Sequence, residues 1–284
     1  MDRAAPADGA PGPTVVFVPG AGMLGLDYLN LHDRLRTGPG PRATSVLYDR
    51  AGTGWSEPGR TPLPRTAAEV TDELRALLRA AEVPGPYVLV GHSLGGLYVR
   101  HYAQRFPDEV AALLLLDPNH EDYAHRMPPQ ILSDAAGPAD AGALPDPGEE
   151  VMETYRTQYA RKLAGWPAEV RGPLVEQHLR TWRTGLTEMA NVESVLYPEL
   201  RAGGGLPDVP LTVLTALAQD PAHAHLLPDG LAQAMNDAKL AVHADLAASV
   251  PRGVHRALPD AEHNWIHVDE ETLVLRCVED LIRG

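Results

Sequence analysis

The chain has 284 residues, of which 44% are hydrophobic, and its formal net charge is −14. This length and apolar content suffice for one large core, or for a core with a modest appendage. The negative charge argues against nucleic acid and anionic membranes as partners, because both attract Lys and Arg. The longest apolar run, Val110 to Leu116, is too short to span a bilayer, and the N-terminus lacks the apolar segment of a signal peptide. We therefore expect a cytoplasmic monomer or simple oligomer.

Six short apolar segments end in turn residues and are predicted to be strands. They lie at 14–20, 44–50, 87–91, 110–117, 210–216 and 254–260. Segments with helical periodicity separate them, at about 27–37, 66–82, 94–106, 228–249 and 269–283. Most of the strand segments are almost continuously hydrophobic, which is typical of strands covered on both faces. The alternation predicts an α/β fold, with a mostly parallel sheet flanked by helices.

Two local features refine this prediction. Thr66 and Glu69 have the spacing of a capping box, so a helix is expected to begin there. Cys277 is the single cysteine, which excludes an internal disulfide and a thiolate metal site. Because Cys277 lies on one face of an amphipathic stretch, we expect it to be a small core residue.

The interval 120–205 interrupts the alternation of strands and helices. It contains helical stretches and joints rich in proline and glycine, without a convincing strand. We interpret it as a helical cap inserted into a core formed by 14–119 and 206–284. Residues 1–13 are expected to form a flexible N-terminal arm.

Large apolar side chains in the interval 120–205 admit two interpretations. Trp166, Trp182 and Met189 are the residues concerned. They either cover a pocket or only pack the core of the insertion itself. Both interpretations stay open at the level of the sequence.

The segment 88–100 reads VLVGHSLGGLYVR and joins an apolar run directly to an amphipathic one. Within it, Gly91 to Gly95 matches the pattern G-x-S-x-G. A strand that turns at once into a helix strains the residue at the bend, and glycine two positions before and after it prevents collisions. The bend is expected to expose the Ser93 hydroxyl beyond the sheet, beside the N–H groups of a helix N-terminus. Alternatively, Ser93 only caps the helix.

Four motifs of this chain resemble those of the α/β-hydrolase family, and the resemblance covers nearly its whole length. VFVPGAG (16–22) resembles the oxyanion loop after the first strand, with Pro19 where a histidine is commoner. YDRAGTGWS (48–56) resembles the family's D-x-x-G-x-G-x-S turn, and GHSLGG (91–96) its nucleophile elbow. DAEHNWIHVD (260–269) resembles its late histidine loop. The family usually has a further pair of strands at the start, for which 13 residues leave little room.

The resemblance implies that Ser93 is a nucleophile, and a serine hydroxyl needs a neighbouring base to take its proton. Among twelve histidines, His263 follows the last predicted strand and precedes the last helix. This position lies at the edge of the sheet where Ser93 also emerges, so we expect His263 to be the base. His267 is expected to be structural or to line a pocket, and His92 to point away from the nucleophile. His101 is expected to lie within a helix.

Two aspartates end sheet strands and compete for the role of the carboxylate that orients the base. Asp117 follows the strand after the Ser93 helix, where a minority of the family carries its acid. Asp220 follows the strand after the insertion, the more usual position, but it lies several residues past the end of that strand. Either aspartate could instead only open a turn before the proline that follows it. We favour Asp117 and keep Asp220 as the alternative.

The resemblance also implies an oxyanion hole formed by two backbone N–H groups, those of Leu94 and Ala21, with Gly22 as the neighbour of Ala21. Asp49 and Arg50 are expected to brace the glycine turn that follows them and not to contact a substrate. The segment PNHED (118–122) contains potential metal ligands, but no partners at a recognisable spacing, so no metal is expected.

Together these assignments predict a cofactor-free serine hydrolase that cleaves a carboxylic ester or lactone of a small to medium apolar molecule through an acyl-enzyme. No nucleic acid or membrane is expected as a partner. The same residues could instead serve acyl transfer, perhydrolysis, peptide cleavage or elimination in natural-product metabolism. A hydrolase-like small-molecule receptor is the alternative outside enzymes. Serine at the bend argues against dehalogenase and epoxide hydrolase chemistry, which uses a carboxylate nucleophile.

Overall fold

Seven strands of the described chain form one sheet. The computed structural model describes residues 1–4, 12–40, 43–59, 61–126, 145–219 and 230–284. The strands are β1 (Asp2–Ala4), β2 (Thr14–Val18), β3 (Ser45–Leu47), β4 (Tyr87–His92), β5 (Val110–Leu116), β6 (Leu211–Ala218) and β7 (Gly253–Glu262). Their order across the sheet is β1-β3-β2-β4-β5-β6-β7. β1 is antiparallel to β3 and the other described neighbours are parallel, which confirms the predicted α/β fold.

Helices connect most of these strands. They are α1 (Leu29–Thr37), α2 (Ala67–Ala80), α3 (Leu94–Arg105), α4 (Tyr123–Arg126), α5 (Glu149–Lys162), α6 (Ala168–Arg180), α7 (Trp182–Met189), α8 (Tyr197–Ala202), α9 (Leu231–Ala248), α10 (Ile266–Asp269) and α11 (Glu271–Arg283). The predicted capping box begins α2: the Thr66 hydroxyl accepts from the Glu69 N–H at 3.1 Å, and the Glu69 carboxylate accepts from the Thr66 N–H at 2.9 Å. Within the described ranges, we find no helix with the length and hydropathy needed to cross a membrane.

Side chains of the strands alternate between two apolar layers, because successive residues of a strand point to opposite faces of the sheet. Val16 and Val18 of β2 join the layer that contains α2 and α3. Val15 and Phe17 join the opposite layer, with α1 and α11. Cys277 is buried in this second layer, as predicted. Since helices cover both faces, most of the strand segments are hydrophobic without alternation, the edge strand β7 being an exception.

The strand β1 is absent from the sequence prediction. It pairs Asp2–Ala4 with Ser45–Leu47 at the edge of the sheet. An edge strand of three residues is held mainly by backbone hydrogen bonds, and it leaves no hydrophobic pattern in the sequence. The N-terminal arm expected over 1–13 thus begins with a short strand; 5–11 lie outside the described residues.

A helical insertion separates β5 from β6 and carries α4 to α8, and its described residues contain no strand. A third apolar cluster joins this insertion to Leu24 and Trp265 of the sheet domain. Trp166 belongs to this cluster, and its Nε1–H donates to the carbonyl oxygen of Leu26 at 2.8 Å. Trp166 therefore packs the insertion onto the sheet domain. Residues 127–144 of the insertion lie outside the described part.

Glycine at position 95 allows α3 to pack closely against the end of β2. A Cβ atom at Gly95 would overlap the carbonyl oxygen of Val18 and lie 2.6 Å from that of Pro19. A Cβ atom at Gly91 would lie 2.7 Å from the carbonyl oxygen of Gly95. Both glycines therefore prevent collisions, as the motif predicts, but at Gly95 the collision would be with a neighbouring strand and not across the bend.

We predict that Gly95→Ala lowers the free energy of unfolding by more than about 3 kcal/mol, because the methyl group would meet backbone atoms that cannot move separately. Gly165→Ala, in the turn after α5, is the matched control, since a Cβ atom there has no neighbour within 4 Å outside the adjoining residues. It should leave stability unchanged or raise it by about 0.5–1 kcal/mol. Urea unfolding followed by circular dichroism measures both variants, and equal stabilities would contradict the prediction.

Candidate active site

The backbone at Ser93 has the strained conformation that the sequence motif predicts. Ser93 lies between β4 and α3 with φ 51° and ψ −119°, a region that residues with a Cβ atom rarely adopt. Its N–H donates to the carbonyl oxygen of Leu116 at 3.0 Å. Its carbonyl oxygen accepts from the N–H groups of Gly96 at 2.9 Å and Asn119 at 3.0 Å. The end of β5, the loop after it and the first turn of α3 thus hold the bend in place.

A chain of hydrogen bonds joins the side chains of Ser93, His263 and Asp117. The Ser93 Oγ lies 3.0 Å from His263 Nε2, and His263 Nδ1 lies 2.6 Å from Asp117 Oδ2. The Asp117 side chain is fully buried, whereas the His263 side chain is 43% exposed. The structure thus brings together three residues that the sequence analysis grouped. Asp220, the alternative acid, lies outside the described residues.

Among the described residues, the carboxylate of Asp117 has two hydrogen-bond donors besides His263. Oδ1 accepts from the Ala216 N–H at 3.2 Å, and Oδ2 accepts from Lys239 Nζ at 3.0 Å. Burial by itself would raise the pKa of Asp117. The hydrogen bond and charge of His263, together with the charge of Lys239, outweigh burial and hold this pKa well below its usual range. Asp117 is therefore an anion at neutral pH and accepts the Nδ1–H of His263.

Helix α9 contributes two residues that the sequence analysis missed, Lys239 and His243. His243 Nε2 lies 2.9 Å from the carbonyl oxygen of Pro118, so it donates there, and its Nδ1 accepts from the Thr215 hydroxyl at 2.8 Å. Burial lowers the pKa of His243 to about 4, so it is neutral at pH 7. His243 therefore supports the chain next to Asp117 without adding charge. No local motif marks either residue.

The other histidines near the site do not contact the Ser93 hydroxyl. His92 is buried, and its Nε2 donates to the carbonyl oxygen of His263 at 2.8 Å. Burial, followed by the charges of His263 and His267, lowers the pKa of His92 well below its usual value. Burial also lowers the pKa of His267 to about 4. His101 lies within α3, as expected, and is buried.

The candidate oxyanion donors lie on either side of this bend. Leu94 is the first residue of α3, so its N–H has no partner within the helix. The Gly22 N–H donates to Glu188 Oε2 at 2.8 Å. In contrast, the Ala21 N–H donates to none of the described residues. The N–H groups of Ala21 and Leu94 therefore both lack an acceptor among the described residues.

Asp49 braces the turn over residues 48–56, as expected, whereas the guanidinium of Arg50 forms its hydrogen bonds outside this turn, contrary to the expectation. Oδ1 of Asp49 accepts from the Gly25 N–H at 2.8 Å, and Oδ2 accepts from the Trp55 N–H at 3.1 Å. The carbonyl oxygen of Arg50 accepts from the Thr53 N–H at 2.9 Å. Neither Asp49 nor Arg50 lines the cavity described below.

The segment 118–122 contributes a neighbour of Ser93 that the sequence analysis missed. Asn119 Oδ1 lies 3.3 Å from the Ser93 Oγ, so it offers the hydroxyl a second acceptor. Glu121 instead forms a double hydrogen bond with Arg100, at 2.8 and 2.9 Å. In the described ranges, no group of three or more His, Cys, Asp or Glu side chains is arranged to hold a metal ion.

A cavity of about 560 Å³ adjoins the candidate site. Ala21 of the oxyanion loop and Asn264, next to His263, form part of its wall. Helices α5, α6 and α7 form much of the rest, and Trp182 and Met189 are among their contributions. Other apolar side chains in the described lining are Met23, Val151, Met152, Leu179, Leu186 and Trp265. Trp182 and Met189 thus fit the first of the two interpretations of the insertion, whereas Trp166 fits neither, because it packs the insertion onto the sheet domain.

The fold and the geometry of the site together define a hydrolase of the α/β type. The sequence pattern of the Alpha/beta hydrolase family matches residues 15–276, which is most of the chain. The protein belongs to the alpha/beta hydrolase family.

Similar proteins agree with this assignment. The chain is 29% identical to the pimeloyl-(acyl-carrier protein) methyl ester esterase of Chromobacterium violaceum, over 95% of this chain and 94% of the esterase. It is 37% identical over 89 residues to an uncharacterized vacuolar membrane protein of Saccharomyces cerevisiae, but it spans only 14% of the length of that relative.

Solved structures show the same fold at low sequence identity. An enol-lactonase from Burkholderia xenovorans superposes with a TM-score of 0.64 and 16% identity, covering 100% of this chain and 95% of the other. A thermophilic esterase from Thermogutta terrifontis has a TM-score of 0.59 and 18% identity, covering 99% and 92%.

Lys239 tests the electrostatic account of Asp117. Because the folded pKa of Asp117 lies below its unfolded value of about 3.9, its stabilising contribution is complete above that value and is lost as the pH falls towards the folded pKa. Lys239→Met weakens this contribution. We therefore expect it to lower the free energy of unfolding by about 1–3 kcal/mol at pH 7 and by about the same amount at pH 5, because Asp117 is an anion in the folded protein at both pH values.

Urea unfolding of both proteins at the two pH values measures this effect. His243, whose pKa burial lowers to about 4, is neutral at both pH values and so contributes little to the difference. Lys239→Arg keeps the positive charge and should lose less stability. A Lys239→Met variant as stable as wild type, or a Lys239→Arg variant as destabilised as Lys239→Met, would contradict the account.

Proposed function

We propose that the protein is a cofactor-free serine hydrolase that cleaves a carboxylic ester or lactone of a small to medium apolar molecule through an acyl-enzyme. The hydrogen-bonded chain of Ser93, His263 and Asp117 carries this proposal. Membership of the alpha/beta hydrolase family supports it, as does the similarity along nearly the whole chain to a methyl ester esterase.

In the proposed mechanism, the Ser93 Oγ attacks the substrate carbonyl while His263 Nε2 takes its proton. Asp117 accepts the Nδ1–H of His263, which fixes the tautomer and offsets the charge of the imidazolium. The N–H groups of Leu94 and Ala21 bind the oxyanion of the tetrahedral intermediate. His263 then passes its proton to the leaving alcohol, and water hydrolyses the acyl-enzyme by the same route.

The helical insertion over 120–205 acts in this proposal as a cap that selects the acyl and alcohol groups. The cavity between its helices and the candidate site supports this role, because its walls are mainly apolar. Its described lining includes Asp27 and no Lys or Arg. An uncharged substrate therefore fits the cavity better than an anionic one.

Pre-steady-state kinetics with p-nitrophenyl esters of short and medium acyl chains test the proposed function. We expect wild type to release about one equivalent of nitrophenol in a burst, followed by slower turnover. Ser93→Ala removes the nucleophile and should abolish the burst and lower kcat/KM by about 10³-fold or more. A wild type without burst or turnover on any ester would contradict the proposal.

The same assay distinguishes Asp117 from Asp220 as the carboxylate that orients His263. Asp117→Asn keeps the size of the side chain but no longer offers a charged acceptor to His263, so kcat should fall by roughly 10³- to 10⁴-fold. Asp220→Asn is the matched control, with the same chemical change at the alternative position, and should stay within a few-fold of wild type. A greater loss in Asp220→Asn than in Asp117→Asn would show that the acid is Asp220.

A further inference from the structure

A buried ion pair joins the helical insertion to the sheet domain. Arg50 Nε donates to Glu188 Oε1 at 2.8 Å, and Arg50 Nη2 donates to Glu188 Oε2 at 3.0 Å. The two side chains are 0% and 1% exposed. Glu188 lies in α7 and Arg50 in the turn after β3, so the pair links segments that are distant in the chain. The two parallel hydrogen bonds between the buried guanidinium and carboxylate fix the position of each side chain relative to the other.

Both members of this pair also bind the loop after β2. Arg50 Nη1 donates to the carbonyl oxygen of Pro19 at 2.5 Å, and Arg50 Nη2 donates to that of Gly20 at 2.7 Å. Glu188 Oε2 accepts from the Gly22 N–H at 2.8 Å. The pair thus fixes polar backbone groups before and after Ala21. The Met23 N–H also donates to the Gly20 oxygen, at 3.2 Å.

The planarity of the peptide bond relates these contacts to the oxyanion hole. The carbonyl of Gly20 and the N–H of Ala21 belong to one peptide unit, which is trans. In a trans peptide, the C=O and the N–H point in opposite directions in one plane. When Arg50 holds the Gly20 oxygen, it therefore also fixes the direction of the Ala21 N–H.

We propose that Arg50 and Glu188 are positioning residues of the oxyanion hole. Glu188 holds the guanidinium of Arg50, Arg50 holds the carbonyl of Gly20, and the peptide plane then directs the Ala21 N–H towards the oxyanion. This inference rests on the proposed function. It gives the helical insertion a part in stabilising the transition state, beyond the selection of substrate.

Glu188→Gln tests this inference, because it removes the charge and keeps the size of the side chain. A misdirected oxyanion donor weakens binding of the transition state and not of the substrate. We expect kcat for a p-nitrophenyl ester to fall by about 10- to 100-fold while KM changes less than about 3-fold. Affinity for a trifluoromethyl ketone, which forms an oxyanion on Ser93, should fall in the same proportion as kcat/KM. The corresponding methyl carbinol forms no oxyanion on Ser93. The affinity of the variant for this carbinol should therefore equal that of wild type.

Glu109→Gln is the matched control. Glu109 accepts two hydrogen bonds from Arg75, at 2.9 and 2.6 Å, and it precedes β5, at the edge of the sheet opposite to Ser93. This variant loses a carboxylate of the same kind without a contact to the loop after β2. Its kcat and its affinity for the ketone should stay within about 2-fold of wild type.

A double variant separates positioning from packing. Arg50→Met with Glu188→Met replaces the ion pair by apolar side chains, an exchange that buried ion pairs often tolerate without loss of stability. The double variant should fold and bind the carbinol, yet show the same loss of kcat and of ketone affinity as Glu188→Gln. Wild-type kcat and ketone affinity in either Glu188 variant would overturn the inference and leave the proposed function standing. A wild type that neither hydrolyses esters nor binds the ketone would overturn both.

Discussion

The strained backbone of Ser93 is the constraint on which the candidate site depends. A residue with a Cβ atom at φ 51° costs roughly 1–3 kcal/mol, and the fold tolerates this because hydrogen bonds from β5 and α3 fix the peptide groups on both sides. Glycine at position 95 lets the first turn of α3 pack against the end of β2. The same bend brings the serine hydroxyl, the N–H of Leu94 and the imidazole of His263 to one edge of the sheet.

Around this bend, each described buried charge has a partner from a different structural element. Asp117 at the end of β5 is held by a hydrogen bond to His263 after β7 and by the charge of Lys239 of α9. Arg50 after β3 is neutralised by Glu188 of the insertion. Charges in a medium of low polarity are costly unless their partners are well placed, so these pairs fix the relative positions of the elements that carry them. The position of Arg50 beside the candidate site therefore depends on how the insertion, which carries Glu188, packs on the sheet domain.

Much of this architecture is predictable from the sequence, because the signals are local. Continuous apolar strands, the capping box at Thr66 and the glycine–serine–glycine bend each depend on residues close together in the chain. The contact between His263 and Asp117 depends instead on which strands are neighbours, so the sequence left two aspartates open. Lys239 and Glu188 have no local pattern, since each finds its partner more than a hundred residues away. The edge strand β1 leaves no pattern either, because it is held mainly by backbone hydrogen bonds.

The central claim of this account is that Ser93 carries the acyl group during turnover. Mass spectrometry of protein quenched with acid during hydrolysis of a p-nitrophenyl ester tests it most directly. The account predicts that the peptide containing Ser93 gains the mass of the acyl group, and that the gain is lost after completed turnover and in Ser93→Ala. An acyl group on another residue, or steady turnover without any acylated peptide, would contradict it.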